Sequence, residues 1–374
     1  MKRNLHVLRQ FALLALGLAL AACSETPQVA PTPSPPRPEA PRAFALGMSS
    51  LPTELTEEGY AAAFALLAGA GEVVLIQRAP PWEELLSGAF PSDETVQTTQ
   101  LETELARENG LAIFLAIDPT DAAEGRRQLV GLPTDLSGAG FADERIRDAF
   151  TEYALYIAVN YQPAYLALGV EMNAYERDKP EDFAEFLTLY AETYDAVKEF
   201  EPDTVIFPTF QLEELHGLLP TDGPRPAQWN LIERFEPRLD LLAVSSYPAL
   251  AFPGPAQIPA DYFSAISSHT ERRIAIASMG YPSRATEGET IARSEEEQAS
   301  FLRLALDEAE ALEMKLVIWF VGQDPTFTGE GPLSQLQSAG LLQQNGDTKS
   351  AWIVWTAEAQ RPLAEAEAFS ERRR

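Results

Sequence analysis

The stretch Tyr165-Leu-Ala-Leu-Gly-Val-Glu-Met-Asn173 decides the fold. Tyr165 to Val170 is almost wholly apolar, as a strand covered on both faces should be. Gly169 lets the backbone approach another group closely. A carboxylate, Glu171, and an amide, Asn173, then stand where the strand must stop. The spacing predicts an amphipathic helix before it, Glu144 to Tyr161, and another after it, Pro180 to Glu199. A strand between two such helices belongs to a βαβ series and a parallel sheet. In barrels of that kind, polar residues at strand C-termini are the usual place for chemistry. Glu171 also has a plainer reading, as a loop cap or the partner of an arginine.

Working outward, the same alternation fills the chain. Strands are predicted at Ala43 to Met48, Glu72 to Gln77, Leu111 to Ile117, Thr204 to Pro208, Leu239 to Val244, Arg273 to Ala277 and Lys315 to Phe320. Further helices are predicted at Thr56 to Ala70, Thr98 to Asn109, Trp229 to Phe235, Ala260 to Ser268, Ser294 to Glu313 and Lys349 to Glu358. Eight strands alternating with eight helices predict one closed α/β barrel, a (β/α)8 TIM barrel, spanning 43–374. A doubly wound open sheet is the runner-up, but no Gly-rich phosphate turn follows the first strand.

The residues before the barrel read as targeting. Lys2, Arg3 and Arg9 precede an apolar run, Phe11 to Leu20, and then Leu20-Ala-Ala-Cys23. That tetrapeptide resembles a bacterial lipobox, which implies cleavage after residue 22 and a lipid on Cys23. Ser24, in place of a retention-type Asp, implies an outer-membrane destination in a diderm cell. Ser24 to Arg42 is rich in proline, an extended tether of the semi-rigid kind.

Cys23 is the only cysteine, so a lipidated Cys23 leaves no disulfide and no thiolate metal site. The histidines are His6, His216 and His269, too few and too scattered for a zinc centre. No cofactor or metal is implied. The formal charge is -28, and losing Lys2, Arg3 and Arg9 makes it more negative still. That argues against nucleic acid and anionic lipid surfaces as partners, and leaves neutral polysaccharide compatible.

The residues expected at one mouth are Arg78, Trp82, Asp118, Glu171, Asn173, Gln211, Tyr247, Ser278, Tyr281, Trp319 and Asp324. Carboxylates and amides suit sugar hydroxyls, and aromatic rings suit the apolar faces of sugar rings. Each aromatic alone also has a packing explanation.

Here the sequence resembles a family. Tyr165 to Tyr175 is similar to the fourth-strand motif of clan-A retaining glycosidases, and most of all to endo-galactanase-like proteins. Ile274-Ala-Ile-Ala-Ser-Met-Gly-Tyr-Pro-Ser283 resembles their seventh strand, and Val317-Ile-Trp-Phe320 their eighth. Gly340 to Trp352 resembles their closing segment. The resemblance implies Glu171 as general acid/base and an aromatic platform on the eighth strand, while Arg78, Trp82, Asn173, Gln211, Tyr247, Tyr281 and Trp319 are read as sugar contacts from their place at the strand ends.

Two positions depart from the family pattern. Val170 stands where the family has Asn, and Ser278 where it has the nucleophilic Glu. Retaining hydrolysis needs two carboxyl groups roughly 5 to 5.5 Å apart, and a serine hydroxyl is a poor nucleophile without an activating base. Two classes of function follow. One is an altered glycosidase in which Asp324 or Asp118 serves as base on a water, an inverting arrangement with carboxyls roughly 6.5 to 9.5 Å apart. The other is a non-catalytic glycan-binding or scaffolding lipoprotein.

Overall fold

The computed structural model describes residues 40–219, 225–285, 291–327 and 336–364. The targeting segment, Cys23 and nearly all of the tether lie outside the described residues. Nine parallel strands make one sheet: β1 (Ala45–Ser49), β2 (Val73–Arg78), β3 (Ala112–Ile117), β4 (Tyr165–Leu168), β5 (Val205–Phe207), β6 (Thr209–Gln211), β7 (Leu242–Ser246), β8 (Ile274–Met279) and β9 (Leu316–Trp319). Their order is β5-β4-β3-β2-β1-β9-β8-β7-β6. The α-helices are α1 (Glu57–Ala68), α2 (Trp82–Leu86), α3 (Asp93–Glu108), α4 (Glu144–Tyr161), α5 (Met172–Asp178), α6 (Pro180–Phe200), α7 (Leu212–Leu215), α8 (Glu295–Ala311) and α9 (Ser350–Ala359).

The expected eight strands become nine because of Pro208. Proline has no N–H to donate into a ladder, so one barrel strand is split into β5 and β6. β5 pairs with β4, and β6 with β7. Each half still reaches the other side: Thr209 N donates to Gly169 O at 3.1 Å, and Asp240 N to Ile206 O at 3.2 Å. The barrel is therefore nearly closed, with a single seam at this proline.

Local sequence explains the helices. Thr56, Ser92, Asp143 and Ser294 each accept a first-turn N–H, and Ser294 with Glu297 completes a capping box. The apolar stripe of α4 buries Ile146, Phe150, Tyr153 and Ile157; that of α6 buries Phe183, Phe186, Leu189 and Tyr190. Two of the predicted helices are not α-helical. Trp229–Phe235 and Ser264–Ser268 are 3-10 turns, and the latter replaces the α-helix predicted from Ala260.

At the seventh strand the ladder steps. Val244 pairs with Ile276, but Ser245 pairs with Ser278, so Ala277 is an extra residue on β8. Such a bulge re-aims the side chains around it, and here it sits at the C-terminal mouth.

Candidate active site

A cavity of about 130 Å³ opens at the C-terminal ends of the strands. Its wall includes Gln77 from β2, Arg126 from the loop after β3, Glu171 after β4 and Gln211 from β6. Ser245 and Tyr247 at β7, Ser278 from β8 and Phe320 after β9 complete the circuit. Glu171 and Ser278 therefore face one mouth.

Glu171 is placed by a sharp turn. Gly169 has φ +105°, and a Cβ there would lie 2.7 Å from Met172 Cγ and 2.9 Å from Phe186 Cζ. Glu171 itself is left-handed, with φ 51° and ψ 43°, and its N–H donates to Thr209 Oγ1 at 2.9 Å. The turn ends β4 and starts α5 with almost no intervening loop.

Arg126 organises the carboxylates. Its Nε donates to Glu171 Oε2 at 2.7 Å, and its Nη1 to Asp118 Oδ1 at 2.7 Å and Thr120 Oγ1 at 3.0 Å. Gln77 Nε2 holds the other Asp118 oxygen at 2.7 Å. Burial works to lower the Arg126 pKa, but Asp118 and Glu171 outweigh it, so the guanidinium stays charged. The plainer reading of Glu171 as an arginine's partner thus holds alongside its place in the cavity wall.

Ser278 Oγ is hydrogen-bonded to the Tyr247 hydroxyl. Burial pushes that phenol far above its ordinary range, so it remains a neutral hydroxyl. Behind it lies Glu213, fully buried, whose Oε1 accepts from Tyr247 N at 2.7 Å and from the Tyr262 hydroxyl. Burial pushes the Glu213 carboxyl up to about 7. Its Oε2 has no hydrogen-bond partner among the described residues.

The structure brings Glu171, Gln211, Tyr247 and Ser278 to the cavity wall, and sets Asp118 one step behind, on Arg126 and Gln77. It does not bring the other expected residues there. Arg78 turns against α3, paired with Glu102 and bonded to Thr99 Oγ1. Trp82 is 1% exposed, with its indole N–H on Val130 O. Trp319 is wholly buried, with its indole N–H on Ala339 O. Tyr281 is buried and accepts from Arg293 Nη1. Asn173 is buried and clamps the Gln211 backbone, accepting from its N–H at 2.8 Å and donating to its carbonyl at 3.0 Å. Asp324 is buried on the Lys349 ammonium at 2.7 Å. The common reason is that large or charged side chains at strand ends also fill and tie the core, where buried polar atoms must find partners.

Sequence reasoning missed Arg126, Gln77 and Phe320. Arg126 sits in an irregular loop eight residues beyond Asp118, where no periodicity marks it. Phe320 could have been found, as the next residue after Trp319 in the eighth-strand motif. Among the described residues, no group of three or more His, Cys, Asp or Glu is placed to hold a metal ion.

No protein-family model matches the chain, and no curated protein matches it by sequence. Solved structures do. The exo-beta-1,4-mannosidase Op5Man5 from an Opitutaceae bacterium superposes with TM-score 0.64 at 14% identity. That match covers 88% of this chain but only 60% of the mannosidase. A GH5_18 protein from Bifidobacterium longum, in complex with Manb1-4GlcNAc, gives 0.63 at 15%, covering 86% of this chain and 80% of that one. The beta-glycosidase BGL167 gives 0.61 at 14%, covering 88% and 99%. The fold is that of barrel glycoside hydrolases.

Proposed function

We propose that the barrel binds β-linked polysaccharide at its C-terminal mouth, with little or no retaining hydrolysis. One observation carries this reading. In the cavity that holds Glu171, Ser278, which the resemblance puts at the nucleophile position, presents a hydroxyl bonded to the Tyr247 hydroxyl. Among the described residues lining that cavity, Glu171 is the single carboxylate. Without a second carboxylate no glycosyl-enzyme ester forms, whereas ground-state binding needs none. The likeness to a mannosidase and a beta-glycosidase supports the sugar class.

The inverting alternative loses support at both of its candidate bases. Asp324 is buried on Lys349, and Asp118 is engaged by Arg126 and Gln77. Neither lines the cavity. The test is a panel of β-linked polysaccharides scored for both binding and released sugar, with Val170→Asn/Ser278→Glu alongside. Binding without release, and activity on an aryl β-glycoside gained in the double variant, are the expected results. A covalently trapped sugar on the unmodified protein sinks the proposal.

The same proposal includes the setting. The Leu20-Ala-Ala-Cys23 sequence and the proline-rich tether support an exported protein held by lipid on Cys23, at the outer membrane of a diderm cell.

A further inference from the structure

Gln211 ends β6 with its backbone fixed on both sides by the Asn173 amide. Its own side chain is different. The residue is 6% exposed, it lines the cavity, and its Oε1 is buried with no hydrogen-bond partner among the described residues. No hydrogen bond is made by its Nε2 either among the described residues. A buried carbonyl without a partner destabilises the fold by its unrecovered desolvation. An apolar side chain of the same size would avoid that penalty, so the fold gives no reason for an amide here.

The cavity gives one. A carboxamide presents one acceptor and a donor side by side. Its complement is a ligand with a donor and an acceptor at matching spacing, which two adjacent hydroxyls on a sugar ring supply. The neighbouring wall favours a neutral ring over a charged one, because Glu171 is already paired with Arg126 and the remaining polar groups are hydroxyls and amides. Phe320, on the same cavity, offers an apolar face of the kind sugar C–H groups pack against.

We infer that Gln211 is a specificity-determining residue that reads a vicinal diol of a neutral pyranoside. The inference rests on the glycan-binding reading and deepens it.

The test uses the full-length protein and four probes: the methyl β-D-pyranosides of glucose, galactose and mannose, and Manb1-4GlcNAc. Binding is measured by calorimetry for the wild type, Gln211→Met and Gln211→Ala. For the probe that binds best, its monodeoxy derivatives follow. Expected is a loss of roughly tenfold to a hundredfold in both variants, the value of two hydrogen bonds to a ligand. Removing either hydroxyl of the diol should weaken wild-type binding and leave the variants unchanged. Thermal melting of Gln211→Met should stay level or rise, because the lost amide has no hydrogen-bond partner among the described residues. Variants that bind like the wild type, or that keep the deoxy penalty, overturn the inference and leave glycan binding standing. A wild type that binds none of the four probes overturns this inference, and failure on the polysaccharide panel as well overturns the glycan-binding reading.

Discussion

At the scale of single residues, the mouth depends on positions that tolerate almost nothing else. Gly169 is the clearest. At φ +105° an L-residue is strained whatever room it has, and the space is already taken by Met172 and Phe186. Gly169→Ala should destabilise the barrel by about 1–3 kcal/mol in denaturant unfolding. Because this turn aims Glu171, the variant should also weaken glycan binding. Glu213 gives a prediction about pH. Its carboxyl is pushed from 4.5 to about 7 by burial, so the folded state holds its proton more tightly than the unfolded chain. The stability from that proton is fully present below about 4.5 and is lost as pH rises to about 7. The loss is about 3 kcal/mol for a shift of this size. Glu213→Gln mimics the protonated form and keeps the Oε1 acceptor for Tyr247 and Tyr262. It should flatten the pH dependence of urea unfolding in that window and leave the variant the more stable at pH 8. An unchanged pH profile would mean that Glu213 is ionised throughout.

At the scale of elements, what could be read in advance was what neighbouring residues decide. The limits of α4 coincide with the expected Glu144 to Tyr161, because Asp143 caps its start and Gln162 adopts a left-handed cap at its end. The strand that delivers Glu171 was legible from its apolar run and the polar residues after it. The split at Pro208 was not, since a proline closing an apolar run reads as the end of a strand, and here the strand resumes. The site was legible only in part for a related reason. Whether Trp82, Tyr281 or Trp319 faces a cavity depends on carbonyls and cations brought near by the fold, which no spacing reveals. Asp324 is the plainest example, because its partner Lys349 is 25 residues away, just before α9. That ion pair ties the loop after β9 to the last helix, and Lys349 also donates to Ser283 Oγ at 2.9 Å and Ser338 O at 3.1 Å. Burial pushes the Lys349 ammonium down and the Asp324 carboxyl up, so each depends on the other to stay charged. Lys349→Met should cost about 3–5 kcal/mol by leaving a buried carboxylate uncompensated. Adding Asp324→Leu should recover much of that. If the double variant is no more stable than the single one, the pair is not what secures this loop.

At the scale of the whole molecule, the polar chemistry and the chain's point of entry lie at opposite ends of the barrel. Arg42 precedes β1, accepts from Ala364 N and donates to Pro362 O at 2.9 Å each, and pairs with Glu72. The described chain therefore enters beside the C-terminal segment, away from the mouth. A formal charge of -28 gives the protein no electrostatic affinity for an anionic membrane surface. Among the described residues, no helix is long and apolar enough to cross a membrane. Attachment through Cys23 would then rest on acyl chains alone, each buried methylene adding about 0.8 kcal/mol and two or more chains being needed for a stable hold. The expected behaviour is specific. The wild-type protein should stay with the membrane fraction through a high-salt wash, take up labelled fatty acid and come off only with detergent. Cys23→Ser should take up no label and be released into the soluble fraction, with an unchanged melting temperature, because Cys23 precedes the barrel. A Cys23→Ser protein that remains membrane-bound and acylated would show that the anchor lies elsewhere. Release of the wild type by salt alone would show that charge, and not lipid, holds it.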